Sequence, residues 1–102
     1  MQKEKKILLI DDIRTVEGCH IARTYFEGII LLKAYKWDKL ILDHDLGPCS
    51  VYKEREYTGY DIMCWLEEYP EYLPKKITCI SANPVGRKRM EQVIQKIYHE
   101  TS

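Results

Sequence analysis

Three polar side chains, Asp43, His44 and Asp45, directly follow the apolar run 40–42. An apolar run that ends in polar residues and a glycine is typical of a buried strand that opens into a cleft. In open α/β sheets, ligands bind at the carboxyl ends of the strands. A carboxylate beside a histidine fixes its tautomer, which suits a general acid or base. We therefore predict that His44, Asp43 and Asp45 are catalytic residues.

An acidic pair, Asp11 and Asp12, follows a second apolar run at 7–10. If the two strands are parallel neighbours, the pair lies at the same edge of the sheet as Asp43. Clustered carboxylates repel one another, so they need a hard cation among them or one carboxyl that stays protonated as a general acid. The alternative is that these are ordinary polar residues of loops. We predict Mg²⁺ as a cofactor held by Asp11, Asp12 and Asp43, with Asp12 also a catalytic candidate.

A third polar strand end begins at Ser81, where Asn83 and Pro84 are well suited to cap and start a helix. The amino end of a helix offers free N–H groups and positive dipole charge to a phosphate. The basic run 87–89 lies in the first turns of this helix. The alternatives are a solvated basic face and an asparagine that only caps. The predicted phosphate-binding residues here are Ser81, Asn83, Arg87 and Arg89.

The remaining elements must position these groups. Thr24 with Glu27 predicts a helix start, as does Thr58 before a second amphipathic stretch. The connection 13–18 is too short for a crossover helix, so we expect a loop there and leave the direction of the next strand open. Residues 48–57 predict a long surface loop beside the cleft, either a lid or a mobile connection. The predicted strands are 6–12, 19–24, 39–43 and 76–80, and the predicted helices are 24–36, 58–69 and one from 84 onward.

Alternating strands and helices in 102 residues predict one domain, spanning 1–102, with a small three-layer α/β sheet. Charge is balanced at 16 basic and 16 acidic residues, so any polyanion has to be bound by a local patch. The sequence has no apolar run of about 20 residues and starts without a signal-peptide core, which predicts a cytoplasmic protein and no membrane partner. The four cysteines form no C-x-x-C pair and are interpreted as small buried hydrophobes in a reducing compartment.

Asp11-Asp12, the run Leu40-Ile-Leu-Asp43 and Ser81 together resemble the phosphoacceptor receiver domains of two-component signalling. The resemblance implies that the acidic pair and Asp43 hold Mg²⁺, that Asp43 is the phosphoacceptor and that Ser81 senses the phosphoryl group. The chain departs from that family because no helix separates the first two strands and no final strand carries the family's lysine.

The sequence resembles more closely the receiver-derived cyclic-phosphate processing domains of bacteria and many phages. The matching motifs are Asp11-Asp12 with Arg14, Asp43-His-Asp-Leu-Gly47, Thr58-Gly-Tyr-Asp61 followed by Trp65-Leu66, and Ser81-Ala-Asn-Pro-Val-Gly86 with Met90. The sequence differs from the family's pattern at one position, because Ile80 stands where the family has a histidine.

This resemblance implies a truncated receiver-like (flavodoxin-like) fold of about four mostly parallel strands and three helices. It implies hydrolysis or recognition of cyclic phosphates, on RNA ends or on nucleotides. It adds Arg14, Thr58, Tyr60 and Gly86 to the predicted substrate-binding residues. Tyr52, Tyr57 and Tyr60 could also stack on a base.

Two other functions remain open. A non-enzymatic nucleotide binder, for example a phage protein that sequesters a host signal, would use the same pocket without a base. A protein-interaction module would expose an apolar face, which we would expect on the helix 58–69, and would form a dimer. The sequence leaves the oligomeric state, monomer or dimer, undecided.

Overall fold

The computed structural model describes residues 5–100. Residues 1–4 lie outside the described residues. They are part of the start of the sequence, where no signal-peptide core is expected. The described strands are β1 (Ile7–Ile10), β2 (His20–Ala22), β3 (Lys39–Leu42), β4 (Val51–Tyr52), β5 (Arg55–Glu56) and β6 (Ile77–Cys79). The helices are α1 (Tyr25–Ala34), α2 (Gly59–Glu68) and α3 (Pro84–Glu100), with short 3-10 turns at Pro48–Ser50 and Pro70–Tyr72.

Four strands form one parallel sheet in the order β2-β1-β3-β6. The direction of β2, left open by the sequence, is parallel to β1, with Leu8 opposite His20. The connection at 11–19 contains no helix in the described chain, as expected. An extended segment of that length spans up to about 30 Å, so it can return to the start of a short neighbouring strand without a helix. The receiver-like α/β fold, with a parallel sheet of four strands and three helices, is confirmed.

The core joins one face of the sheet to all three helices. Leu8 and Ile10 of β1 and Leu40 and Leu42 of β3 belong to a single buried cluster. Side chains alternate along a strand, so the odd-numbered residues of β1 and β3, together with Thr78 of β6, lie on the opposite face. Of these, Ile7, Ile41 and Thr78 are half-buried and Leu9 is fully buried, and all four lie outside the cluster. The helices contribute Leu32, Ile62, Met63, Leu66, Met90 and Ile97.

The predicted helix starts are confirmed. Thr24 caps α1 by accepting a hydrogen bond from the Glu27 N–H at 3.1 Å. Thr58 and Asp61 form a capping box at the start of α2. Both caps satisfy backbone donors that the first turn of a helix leaves unpaired, so they fix where each helix begins.

The segment 48–57, predicted as a long surface loop, is largely exposed but contains regular structure that the prediction missed. After a 3-10 turn, β4 and β5 pair as an antiparallel hairpin. Its turn residues Lys53 and Glu54 have φ of 50° and 66°. A two-residue turn with both φ values positive is normally encoded by Asn-Gly or Asp-Gly, and the absence of that signal hid the hairpin. Tyr57 stacks on Tyr25 of α1 at 4.6 Å, which holds the base of the hairpin to the fold.

The cysteine interpretation is partly wrong. All four cysteines are free, but Cys49 is exposed and the other three are only partly buried. No helix of the described residues has the length and apolar character needed to cross a membrane.

Candidate functional site

Three carboxylates meet at the carboxyl ends of β1 and β3. One oxygen from each of Asp11, Asp12 and Asp43 lies within 4.8 Å of the other two. The strands bring them together because Ile10 pairs with Leu42 in the parallel register, so the residues that follow leave the sheet side by side. Asp11 is buried at 1% exposed, whereas Asp12 and Asp43 are partly exposed.

Asp11 organises the loop that follows it. Its Oδ1 accepts hydrogen bonds from the backbone N–H of Ile13 at 2.9 Å and of Arg14 at 2.8 Å. The Arg14 guanidinium pairs with Asp11 Oδ2 at 3.3 Å and donates to the Ile80 carbonyl at 2.8 Å. Both of these bonds use Nη1, so Arg14, which is 45% exposed, keeps other donors for a ligand. Arg14 therefore lies at the acidic cluster, and its predicted role in binding substrate stays a prediction.

Asp43 lies in surroundings that disfavour the charged form of its carboxyl group. Burial raises its pKa, and the nearby Asp11 carboxylate raises it further. The His44 N–H, which donates to Asp43 Oδ1 at 2.8 Å, and the Ser81 hydroxyl oppose this rise by stabilising the ionised form. Ser81 is itself buried and also accepts a bond from the Asn83 N–H at 3.0 Å. Ser81 therefore joins Asp43 to the start of α3.

The His44 ring lies between Asp45 and the first turn of α3. Its Nδ1 is 3.0 Å from Asp45 Oδ1, and the imidazole is only 15% exposed. A carboxylate at Nδ1 favours the tautomer with the proton on that nitrogen, which leaves Nε2 as the acid or base atom. Gly86 packs directly on the ring, since a Cβ there would be 2.5 Å from His44 Cγ. His44, Asp45 and Gly86 thus form one unit.

The start of α3 offers fewer phosphate donors than the sequence predicts. Pro84 has no N–H, and the Gly86 N–H is already bonded to the Asn83 side chain at 3.1 Å. Within the described chain, only the Val85 N–H of this first turn has no hydrogen-bond partner. Asn83 therefore acts as the cap in this structure.

The predicted basic residues of α3 are engaged elsewhere. Arg87 pairs with Glu91 one turn along the same helix at 3.5 Å. The Arg89 guanidinium lies 4.3 Å from the centre of the Tyr60 ring, so both residues belong to the contact between α2 and α3. Among the described residues, no hydrogen bond or ion pair joins Arg87, Arg89 or Tyr60 to the acidic cluster.

The remaining candidates have structural partners as well. Thr58 is held in its capping box, where its N–H donates to Asp61 Oδ2 at 2.8 Å. Tyr57 has Tyr25 stacked on its ring and the Arg55 guanidinium 4.2 Å from its centre. Tyr52, at 57% exposed, keeps the most open ring of the three tyrosines considered for base stacking.

Two glycines and an arginine shape the site without having been singled out from the sequence. Gly47 packs on Asp12, because a Cβ there would lie 2.7 Å from Asp12 Oδ2. Gly59 packs against the Asp43 carbonyl and donates its N–H to the His44 carbonyl at 2.7 Å. Arg23 donates to the Arg14 carbonyl at 2.6 Å and so supports the loop after β1. The glycines inside the quoted motifs were the available signal, because close backbone approach requires glycine.

The donor set fits a hard divalent cation. Carboxylate oxygens are the protein ligands that Mg²⁺ prefers, and it usually binds through one or two of them while keeping several waters. Asp12 and Asp43 are partly exposed, so water can share the coordination. A cation would also offset the repulsion that raises the Asp43 pKa. The residues that would hold it are Asp11, Asp12 and Asp43.

The parallel sheet, with acidic residues at the carboxyl ends of β1 and β3, defines a receiver-like α/β domain. The family model described as cyclic-phosphate processing receiver domain matches residues 6–96. The chain therefore belongs to the cyclic-phosphate processing receiver domain family, as the motifs predicted. No curated protein and no solved structure matches the chain.

Proposed function

We propose that this domain hydrolyses cyclic phosphates, such as the 2′,3′-cyclic phosphate of an RNA end or a cyclic nucleotide, at the carboxyl edge of its sheet. The observation that carries the proposal is the three-carboxylate cluster, whose Asp43 accepts a hydrogen bond from the His44 N–H at 2.8 Å, in a chain of this family. Arg14 adds a partly exposed guanidinium at the same place, suited to a phosphate oxygen.

Opening a cyclic phosphate needs three events. Water attacks phosphorus, one ring P–O bond breaks, and the released sugar oxygen takes a proton. In this proposal His44 Nε2 accepts the proton of the attacking water while Asp45 holds the imidazolium that forms. Ile80 has no group that could donate the second proton. The proton therefore comes from Asp43, if it is protonated, or from solvent.

Mg²⁺, if bound by the three aspartates, would polarise the phosphoryl oxygens and neutralise developing charge. Asp43 cannot act as a cation ligand and as a proton donor at the same time, because the first role needs its ionised form. A strict requirement for Mg²⁺ therefore favours the ligand role. Turnover that persists in EDTA favours the proton-donor role.

The test is to incubate the protein with 2′,3′-cyclic mononucleotides and with RNA that ends in a cyclic phosphate, each with Mg²⁺ or with EDTA. We expect conversion to phosphomonoesters. His44→Ala should lower the rate by about 10²- to 10⁴-fold, the usual contribution of a general acid or base. His99→Ala is the control, since His99 lies at the far end of α3. Binding without turnover, unchanged in His44→Ala, would contradict an enzymatic role.

Two alternatives remain. A nucleotide-sequestering protein would bind the same ligands without hydrolysis, and calorimetry against a panel of cyclic nucleotides would identify it. A protein-interaction module is less well supported, because α2, where an exposed apolar face was expected, buries Ile62, Met63 and Leu66 in the core.

A further inference from the structure

Seven lysines lie around the amino ends of the parallel strands, at the edge opposite the acidic cluster. Backbone hydrogen bonds hold these segments together, for example from the Asp38 N–H to the Lys6 carbonyl at 2.8 Å and from the Lys75 N–H to the Trp37 carbonyl at 3.2 Å. We call this surface the amino-end patch. Its lysines are Lys5 and Lys6 before β1, Lys33 and Lys36 at the end of α1, Lys39 at the start of β3, and Lys75 and Lys76 before β6.

The amino-end patch is positively charged although the chain as a whole is neutral. The acidic residues in these segments are Asp38 and Glu71, and Asp38 is paired with Lys75 at 3.2 Å. Lys33 and Lys36 have no ion pair among the described residues. The carboxyl end of α1 adds about half a negative charge, which these two lysines outweigh.

Aromatic rings and lysines share a groove within this patch. A cavity of about 410 Å³ is lined by Tyr35, Trp37 and Tyr72 together with Lys33, Lys36 and Lys75. A second cavity of about 240 Å³ has Lys33, Glu71 and Tyr72 in common with it and extends to Trp65 and Tyr69. Tyr35 is 53% exposed, with the Lys6 ammonium 4.6 Å from the centre of its ring, and Tyr69 is 41% exposed, whereas Trp37 is buried. The accessible rings of the groove are therefore Tyr35 and Tyr69.

We propose that the amino-end patch binds single-stranded nucleic acid. Lysines that follow a backbone, interleaved with exposed aromatic rings on which bases stack, are the combination that single-strand binding grooves use. An acidic peptide would use the lysines but not the rings, and a duplex hides its bases from them. This proposal goes beyond the hydrolysis proposed above and does not depend on it. The two sites are separated by β3, which is roughly 13 Å long.

The test uses a fluorescently labelled oligouridylate of about 12 nucleotides, within the usual site sizes, with a plain 3′-hydroxyl. This probe lacks a cyclic phosphate, so the result is independent of hydrolysis at the acidic cluster. Fluorescence anisotropy should show binding that weakens as salt rises. The double reversal Lys33→Glu/Lys36→Glu should weaken binding about tenfold or more and lower the salt slope by about 2. Tyr35→Ala should weaken it by about tenfold through lost stacking.

The matched control is Lys53→Glu/Lys88→Glu, which changes net charge equally at two exposed lysines outside the patch. This control should retain wild-type affinity, and circular dichroism should show that all variants are folded. No binding at low salt, an equal loss in the control, or equal affinity for a duplex or an oligoglutamate would each overturn the proposal. A failure here with intact hydrolysis of cyclic phosphates would leave the proposed function standing.

Discussion

The His44 ring packs against the backbone of Gly86, so that a Cβ on Gly86 would lie 2.5 Å from both Cγ and Cδ2 of the ring. A methyl group there must displace the imidazole, because the backbone of α3 is fixed by its cap. The first turn of α3 therefore sets the position of the proposed base.

Gly86→Ala should lower cyclic-phosphate hydrolysis by about 10²-fold, the scale expected when a reacting group moves by about 1 Å. Stability should change little, because alanine also improves helix propensity by up to about 1 kcal/mol. Steady-state kinetics and thermal melting measure the two effects. Ala82→Gly, at an exposed position before the helix, is a control for the neighbouring backbone. Wild-type kinetics in Gly86→Ala would contradict this role of the contact.

Gly59→Ala should act on stability instead. A Cβ on Gly59 would overlap the backbone carbonyl of Asp43, which cannot move as a side chain can. Overpacking of this kind costs about 1–3 kcal/mol or more. Urea denaturation should show a lower free energy of unfolding, whereas a loss below about 0.5 kcal/mol would mean that α2 and β3 are less closely packed than described.

Mg²⁺ should stabilise the folded protein if the three aspartates bind it. A ligand at about 100 times its dissociation constant adds about 2.7 kcal/mol, which a thermal melt detects easily. Asp12→Asn should abolish the shift. Asp45→Asn should retain it, because the Asp45 side chain is 65% exposed and pairs with His44 rather than joining the cluster. An equal shift in all three proteins would place the ion elsewhere.

Asp43 should make the metal-free protein less stable as pH rises. Burial and the Asp11 carboxylate raise its folded pKa above the unfolded value of 3.8, so the folded state binds the proton more tightly. Stability from this group is complete below 3.8 and is lost as pH rises through the raised folded pKa. As pH rises through this window, the free energy of unfolding of the wild type, measured in EDTA, should therefore fall relative to that of Asp43→Asn. A difference independent of pH would contradict the assigned environment.

Cys79 and Cys49 should differ in reactivity. Burial raises the pKa of the Cys79 thiol to about 11, so about one molecule in 10³ carries the thiolate at pH 8. Cys49 is exposed. Brief treatment with iodoacetamide at pH 8, followed by peptide mass spectrometry, should show modification of Cys49 long before Cys79. Comparable rates would mean that β6 is more open than the structure places it.

Much of the fold was predictable because its signals are local. Thr24 with Glu27 and Asn83 with Pro84 fix helix starts through bonds that span only a few residues. The apolar runs before Asp11 and Asp43 likewise indicate buried strands. The hairpin at Val51–Glu56 was missed because its turn carries Lys-Glu, without the glycine or asparagine that usually marks positive φ.

The sequence by itself determined the family, the strand ends and the membership of the acidic cluster, because parallel strands deliver the residues that follow them to one edge. Only the tertiary structure decided which basic groups accompany that cluster. Arg14 reaches it, whereas Arg87 pairs with Glu91 and Arg89 lies over Tyr60. The tertiary structure also brings lysines from separate segments of the chain together in the amino-end patch. The reason is that the direction of a long side chain and the meeting of distant segments depend on packing between elements, which no local pattern encodes.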